Sequence, residues 1–189
     1  MIRKPSPERL SFFSDGVFAV LITVLVLELH PPEHATFEAL LHHWPSWLSY
    51  AVSYLFIAIV WANHHYLLHH ATEATPRLMW FNFAHLFSVS LLPFSTAWMA
   101  VSRLSPQPVA FYAAVFFAVN LTYILLIWEL IEPAGVPAKV RRNMRIRSFA
   151  TLCLFGIAAV VALKYPFAGL AICCCCLLGY LRPAAPGAG

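Results

Sequence analysis

The amino-acid sequence predicts an all-α integral membrane protein with six transmembrane helices in each subunit. Hydrophobic residues make up 61% of the chain and charged residues only 11%, whereas soluble domains are about 45–50% apolar and about 25% charged. The apolar residues fall in long runs, each close to the roughly 20 residues that a helix needs to cross the hydrocarbon of a bilayer. Lys and Arg are concentrated in alternate loops, as the positive-inside rule requires. These observations predict a single membrane domain over residues 1–189.

The predicted spans follow one another with loops too short to hold a soluble domain. They cover residues 12–29, 47–67, 78–101, 109–130, 149–163 and 167–181. Pro31 and Pro32 close the first span, because proline disrupts a helix interior. A loop rich in proline and arginine separates the fourth span from the fifth. Residues 183–189 contain only proline, alanine and glycine, so this tail is predicted to be disordered.

The positive charges predict the orientation of the chain. If the N-terminus lies in the cytoplasm and the spans alternate, ten of the twelve Lys and Arg residues are cytoplasmic and only Arg103 and Lys164 lie outside. The cytoplasmic residues are Arg3, Lys4, Arg9, Arg77, Lys139, Arg141, Arg142, Arg145, Arg147 and Arg182. This asymmetry is the usual mark of orientation in multi-pass proteins. We therefore expect a cell-membrane protein with both termini in the cytoplasm.

The first span is apolar but contains a few polar residues. On a helix that turns about 100° per residue, several of its residues share one narrow stripe that carries a single hydroxyl. They are Phe13, Gly16, Val20, Thr23 and Leu27, with Val24 at the edge. Asp15 and Glu28 point away from this stripe. The residues alone leave two interpretations open: the stripe is helix–helix core, with Thr23 bonded to its own backbone, or it faces a pathway across the membrane.

A motif at the start of this span resembles the signature of a known family. The run Arg9-x-x-x-Phe13-Ser14-Asp15-Gly16 looks like the signature of the transmembrane protein 175 family of lysosomal potassium channels. Three further features fit the same family: Trp61–His65 in the second span, Asn82 in the third, and the string Leu91–Thr96. The likeness extends from Arg9 to about residue 182, in the six-helix form found in bacterial members.

The resemblance implies a homotetramer whose central pore is lined by the first helix of each subunit. It also implies selectivity without a re-entrant filter, and the sequence contains no "TVGYG". The residues then expected to line and gate the pore are Val20, Thr23, Val24 and Leu27. Val20 stands where the family more usually has isoleucine or leucine, so the narrowest ring is expected at Val20 or Leu27. A narrow apolar ring expels water, and four Thr23 hydroxyls can replace part of an ion's hydration shell.

The remaining polar residues predict a second feature at the cytoplasmic side. A buried carboxylate is costly in a membrane unless it is paired. We therefore interpret eight residues as a structural polar network that holds the first three helices together: Arg9, Ser14, Asp15, Trp61, Asn63, His64, His65 and Asn82. The alternative is that four Asp15 carboxylates form a cation-attracting ring at the inner mouth, which the helical angle of Asp15 disfavours.

These features leave two possible functions for the protein. The first is a passive, leak-type, potassium-selective channel with potassium as the permeant ion and no cofactor; whether protons also permeate is left open. The second is a proton-coupled cation or metal transporter that uses the cluster His64, His65, His69 and His70. No carboxylate lies near the middle of a span, which disfavours coupled transport. No enzyme motif is present in the sequence, so no catalytic activity is expected.

Metal binding is not expected in either cysteine-rich or histidine-rich segments. His65 and His69 lie one helical turn apart, which is ligand-like spacing, but no cysteine or carboxylate completes a set except Glu73 one turn further on. A role in pH sensing suits these histidines better. Cys173–Cys176 are consecutive, so their thiols spread around a helix and cannot converge on one metal. We expect them to behave as small apolar residues. The expected partners are other copies of this chain and membrane lipids, without nucleic acid.

Overall fold

A computed structural model describes residues 6–131 and 135–180, and every regular element in these ranges is a helix. The eight helices are α1 (Pro7–Leu27), α2 (Phe37–His42), α3 (Trp44–Leu68), α4 (Pro76–Ser90), α5 (Leu92–Val101), α6 (Pro106–Ile131), α7 (Ala138–Ala162) and α8 (Pro166–Tyr180). Arg3, Lys4, Arg182 and the predicted disordered tail lie outside the described residues, as does the last residue of the sixth predicted span. The all-helical fold class predicted from composition is confirmed.

Five stretches of these helices are long and apolar enough to cross a membrane, and α4 and α5 together make one of them. The five are α1, α3, the stretch Pro76–Val101, α6 and α7, while α8 is a shorter apolar helix. Each predicted span therefore corresponds to one of these six segments. Three details were not predicted: the short helix α2, the division of the third span into α4 and α5, and the start of α7 at Ala138, eleven residues before the fifth predicted span. The Arg-rich stretch before residue 149 lowers the hydropathy but consists mostly of good helix formers.

Capping residues followed by proline start α1 and α4. Ser6 precedes Pro7, and its hydroxyl accepts a hydrogen bond from the Arg9 amide at 3.4 Å. Thr75 precedes Pro76 in the same way and accepts from the Leu78 amide at 3.1 Å. A side-chain oxygen satisfies a free amide of the first turn, and proline at the first position lacks an amide that would need a partner. The starts of α1 and α4 are thus defined locally.

The third span is broken between α4 and α5. Helix α4 ends at Ser90, and Leu91 caps it just before Leu92 and Pro93, the first residues of α5. Proline has no amide hydrogen and its ring crowds the preceding turn, which interrupts the helical hydrogen bonds. The two halves therefore form separate helices within one membrane-spanning stretch.

A chain of buried hydroxyl groups holds α5 just after this break. The Thr96 hydroxyl donates to the Leu92 carbonyl at 2.7 Å, so it accepts from Ser53, whose oxygen lies 2.7 Å away. Ser53 has then used its hydrogen and accepts from the Tyr112 hydroxyl at 2.8 Å. All three side chains are buried. The hydrogen bonds run in one direction from α6 through α3 to α5.

Helix α6 forms the centre of the bundle. It packs against α3, α4, α5, α7 and α8, and Tyr112 and Phe116 on it are among the largest fully buried side chains. The Phe116 ring stacks on Phe56 of α3 at 3.6 Å between centroids and meets Phe155 of α7 edge-on at 5.3 Å. These contacts place an aromatic core between α3, α6 and α7, behind the helix that carries the predicted stripe.

Helices α7 and α8 cross at a glycine. A Cβ atom added at Gly169 would lie 2.6 Å from the Ala162 Cβ and 2.8 Å from the Ala158 carbonyl oxygen. Real Cβ atoms do not approach neighbours this closely, so the two helices touch through backbone atoms. Small residues at such crossings are common between membrane helices because dispersion and close packing drive their association.

Gly169→Ala should therefore lower the melting temperature of the purified protein in detergent, measured by circular dichroism. Alanine is favoured over glycine in a helix by about 1 kcal/mol, but overpacking costs typically about 1–3 kcal/mol. Gly156→Ala is the matched control, because its new Cβ would lie at an ordinary 3.6 Å from the Phe117 ring. The control should be neutral or stabilising. Equal behaviour of the two variants would contradict a tight crossing at Gly169.

Candidate functional site

Helix α1 has one buried face and one uncovered face. The buried face consists of Leu10, Ser14, Phe18, Leu21 and Leu25, and it packs mainly against α3, with smaller contacts to α4 and α5. The predicted stripe lies on the other face. Val20 is 58% exposed and Leu27 is 74% exposed.

The rest of the stripe is also uncovered within the subunit. Phe13, Gly16 and Thr23 are exposed, and Val24 is half-buried. Part of this face, from Phe12 to Leu21, forms an open apolar groove. A Cβ atom at Gly16 would meet nothing within 4 Å. The interpretation of the stripe as core within one subunit is therefore wrong.

The Thr23 hydroxyl has a defined orientation. It donates to the Val20 carbonyl oxygen of its own helix at 2.8 Å, as expected for threonine inside a helix. Its hydrogen is thereby directed to the backbone, and the lone pairs of the oxygen are left on the uncovered face. A hydroxyl arranged in this way can act only as an acceptor towards a species on that face.

Behind this face, three buried polar side chains join α1 to α3 and α4. Ser14 donates to the Leu10 carbonyl oxygen at 2.9 Å and accepts from the Asn82 amide nitrogen at 3.0 Å. The Asn82 amide oxygen lies 2.7 Å from His64 Nε2, which therefore carries the hydrogen. Each of the three side chains is completely buried. We call Ser14, Asn82 and His64 the inner anchor.

Asp15 is held by a separate contact one residue further along. The Trp61 indole nitrogen of α3 donates to Asp15 Oδ1 at 2.9 Å. Asp15 is partly exposed, and the bond directs it towards α3 rather than towards the stripe. A hydrogen bond to the charged form compensates part of the cost of placing a carboxylate in the membrane.

The other residues predicted for the polar network lie near these contacts without completing them. Asn63 donates to the Ile59 carbonyl of its own helix at 2.8 Å. The His65 ring lies 5.7 Å from the Trp61 ring. Arg9 is exposed, and within residues 6–131 and 135–180 its guanidinium has no side-chain hydrogen bond or ion pair. The structure thus brings together five of the eight predicted residues.

His85 belongs to this region and was missed. Its ring is parallel to that of His64, with centroids 5.4 Å apart and an interplanar angle of 3°. The Phe18 ring of α1 lies 5.3 Å from His64 and 6.5 Å from His85. His85 follows Asn82 by three residues on α4, and residues at this spacing share a helix face. That spacing was the available signal.

The four histidines of the alternative transporter reading do not converge. His64 is buried against Asn82, whereas His65 and His69 are exposed, and His70 Nδ1 bonds the Tyr66 carbonyl of its own helix at 2.9 Å. Across the described ranges, no three His, Cys, Asp or Glu side chains are arranged to hold a metal ion. Cys173 and Cys176 are buried while Cys175 is exposed, so the four consecutive thiols spread around α8 as expected.

An ion pair joins the beginning of α4 to the end of α6. Arg77 pairs with Glu129, and the Thr75 hydroxyl donates to the same carboxylate at 3.3 Å. The pair fastens two helices at the predicted cytoplasmic edge.

Comparisons with known proteins identify the family. The family described as "Endosomal/lysosomal potassium channel TMEM175" matches residues 9–93. A potassium channel of Streptomyces collinus is 34% identical over 177 residues, which cover 87% of this chain and 85% of the relative. The chain belongs to the TMEM175 family. A potassium channel of Chryseobacterium sp. is 30% identical over 161 residues, covering 84% of each chain. The family resemblance read from the Arg9–Gly16 motif is confirmed.

The TMEM175 fold accounts for most of the chain. The crystal structure of a lysosomal potassium-selective channel TMEM175 homolog from Chamaesiphon minutus matches with a TM-score of 0.83 and 26% identity, over 93% of this chain and 96% of that chain. The rat endosomal/lysosomal proton channel TMEM175 is 29% identical over 182 residues, which cover 83% of this chain but 36% of the rat protein. This TMEM175 member is a multi-pass membrane protein and not an enzyme.

Asn82→Ala should lower the free energy of unfolding of this TMEM175 member by about 1–3 kcal/mol, because it leaves His64 Nε2–H buried without its acceptor and Ser14 without its donor. Chemical unfolding in detergent, followed by tryptophan fluorescence, measures the change. Asn63→Ala is the control, since Asn63 bonds only its own helix. A loss of the same size in the control would contradict a special role for the inner anchor.

Proposed function

We propose that four copies of this chain form a potassium-selective, leak-type cation channel in the cell membrane, with α1 of each subunit lining the central pore and both termini in the cytoplasm. The observation that carries the proposal is the uncovered stripe on α1. It is apolar apart from one hydroxyl, and the inner anchor that positions α1 lies on the other side of the helix. The potassium channels among the relatives and the match to the Chamaesiphon minutus homolog support the same conclusion.

In such a tetramer, the stripe produces a layered pathway. Val20 and Leu27 are seven residues apart, so their rings lie about 10 Å apart along the axis, given a rise of 1.5 Å per residue. Thr23 lies between them. Four apolar side chains at each level make a narrow dry ring, and an ion must lose water to pass it. We infer that these rings form the constriction and that Val24, at the edge, closes the gaps between neighbouring helices.

The Thr23 ring supplies the polar atoms of this pathway. Each Thr23 hydrogen is directed to the Val20 carbonyl, so four hydroxyl oxygens face the axis as acceptors. A cation that has lost water at an apolar ring gains partial replacement of its hydration shell from these oxygens. Neutral hydroxyls make a weak field, which favours an ion that is dehydrated easily. We therefore expect a modest preference for potassium over sodium.

An aromatic surface beside the stripe suits contact between subunits. Trp80 and Phe87 on α4 are 71% and 68% exposed, and Phe83 lies between them on the same helix face. The Phe83 ring meets Phe13 of α1 edge-on at 5.9 Å. Because this surface is continuous with the stripe, we propose that the neighbouring subunit covers it.

The two alternatives are less well supported by the geometry. Asp15 bonds Trp61 and is directed to α3, which does not suit a charged ring at the pore mouth. The four histidines of a coupled transporter lie on different faces of α3 and its end. A passive channel needs neither group in its pathway. Protons would share the proposed pore only if water fills the apolar rings of Val20 and Leu27, because protons move along chains of water.

Shortening the side chains that form the apolar rings of the proposed pore should increase conduction. Leu27→Ala widens an apolar ring and admits water, so the current in planar bilayers should rise, and Val20→Ala should act in the same direction with a smaller effect. The controls are Val160→Ala and Leu154→Ala on α7, where the side chains are 70% and 43% exposed. Native mass spectrometry verifies that each variant keeps the wild-type assembly of 21.2 kDa subunits. Unchanged currents in the α1 variants, or equal increases in the α7 variants, would exclude this pore.

Removing the Thr23 hydroxyl should change selectivity rather than current size. Thr23→Val keeps the shape of the side chain and removes the oxygen, so the ratio of potassium to sodium permeability should fall towards one. Thr23→Ser keeps the oxygen and should retain the preference. Reversal potentials with potassium on one side of the bilayer and sodium on the other measure both. If Thr23→Val keeps the wild-type reversal potential, Thr23 does not contact the permeating ion.

A further inference from the structure

A partly open cavity lies between α3, α4, α6, α7 and α8. Its walls are mostly aliphatic and aromatic, and they include the rings of Phe56, Tyr123, Phe155 and Tyr180. The volume open to the centre of a water-sized sphere is about 30 Å³. On this measure one water molecule needs about 10–15 Å³. The cavity therefore has room for one or two water molecules and is too small for a larger organic ligand.

One polar group at the cavity is the imidazole of His85. The Thr122 hydroxyl gives its hydrogen to the backbone, where the Ala118 and Val119 carbonyl oxygens each lie at 3.0 Å. It must therefore accept from His85 Nδ1, also at 3.0 Å. With its hydrogen on Nδ1, the neutral ring presents a lone pair at Nε2. Nε2 is buried and meets no hydrogen-bond partner in the described part of the chain.

The second polar group is Asn120 on α6. Its amide oxygen is buried, and it too has no partner among the residues that the structure describes. Both residues line the cavity. The lining also includes Asn63, Tyr123, Thr151 and Tyr180, but none of them donates to His85 Nε2 or Asn120 Oδ1 among the described contacts. The site thus offers two acceptors that need a donor. An acceptor left alone in such surroundings costs about as much as a lost hydrogen bond.

The residues that line the cavity favour a neutral hydrogen-bond donor over a charged one. Neither Asp nor Glu is among the lining residues, so a cation such as ammonium would be buried without a counter-charge, which is strongly unfavourable. A neutral molecule with two hydrogens to donate fits both the charge and the size. We propose that the cavity is a water-binding site, in which one water molecule donates one hydrogen to His85 Nε2 and the other to Asn120 Oδ1.

This water connects the central helix to the inner anchor. It joins Asn120 of α6 to His85 of α4, and His85 stacks on His64, which bonds Asn82. Asn82 in turn bonds Ser14 of α1. Through these contacts, the water supports the inner anchor on the side away from α1. His64 Nδ1 is also buried without a partner among the described residues, but His64 does not line the cavity and lies outside the site. The inference does not depend on what α1 conducts.

A direct test is an experimental map of the wild-type protein at a resolution that shows ordered water. A density peak about 2.7–3.2 Å from both His85 Nε2 and Asn120 Oδ1 is expected. Cavity walls with no peak between the two atoms, or a rearrangement in which each atom bonds a protein group, would overturn the proposal.

A double-mutant cycle gives an independent test in solution. Asn120→Leu removes one acceptor and displaces the water, so in the wild-type background it leaves His85 Nε2 without a donor and should lower the melting temperature by about 2–4 °C. In the His85→Phe background the Nε2 acceptor is already absent, so Asn120→Leu leaves no buried acceptor without a donor and should be neutral or stabilising. The coupling between the two positions is the readout.

A dry cavity gives the opposite pattern. Asn120→Leu would then replace an unpaired buried amide by a hydrocarbon and raise the melting temperature equally in both backgrounds. Additive effects of that sign contradict the water bridge. Val119→Ala is the control for a change in cavity volume alone, since Val119 lines the cavity without polar side-chain atoms and should show no coupling of the predicted sign with His85→Phe.

Discussion

The rotation of α1 about its own axis depends on the inner anchor. Within the hydrocarbon, a polar side chain has no water to bond, so it must find a protein partner. Ser14, Asn82 and His64 satisfy one another in only one register of α1 against α3 and α4. Turning α1 by one residue would separate Ser14 from Asn82 and bring Phe13 or Asp15 to its place. Because the stripe lies on the opposite face, the same hydrogen bonds that hold α1 also determine which residues are left uncovered.

The remainder of the subunit provides a rigid support for that anchor. Phe56, Phe116 and Phe155 fill the space between α3, α6 and α7, and Gly169 lets α8 approach α7 through backbone contacts. Aromatic packing and small-residue crossings need no hydrophobic driving force from water, which is absent between membrane helices. The anchor therefore has a fixed partner surface. Helix α1 is attached to one side of this support instead of being enclosed by it.

Much of this arrangement could be predicted from the sequence, because the spans and the faces of α1 depend on residues close together in the chain. Apolar runs predicted the spans, and the 100° periodicity placed Val20 and Leu27 on one face of α1 with Asp15 pointing away from it. The Arg9–Gly16 motif identified the family. The start of α7 was missed because hydropathy detects the hydrocarbon boundary, whereas a helix continues beyond it as long as its residues favour helix. The stretch before residue 149 is of this kind.

Other parts depended on contacts between distant segments. His85 looked like an ordinary residue of a span until α4 placed it beside His64 of α3. Asn63 and His65 belong to the same motif as His64, but a helix distributes adjacent residues over different faces, and only His64 faces Asn82. Arg9 was expected to bond another helix and is exposed in a single subunit.

The chain of hydroxyls from Tyr112 to Leu92 has a mechanical consequence for the broken third span. A proline break often serves as a hinge, because the helix on either side has lost a hydrogen bond. Here the segment after the break is held by Thr96, whose hydroxyl is held by Ser53 and Tyr112 in turn. Swinging α5 would separate Thr96 from Ser53 and leave the hydrogen of the buried Ser53 hydroxyl without an acceptor, in a medium that offers no replacement. The hydrogen bond between Ser53 and Thr96 therefore opposes hinge motion at the break.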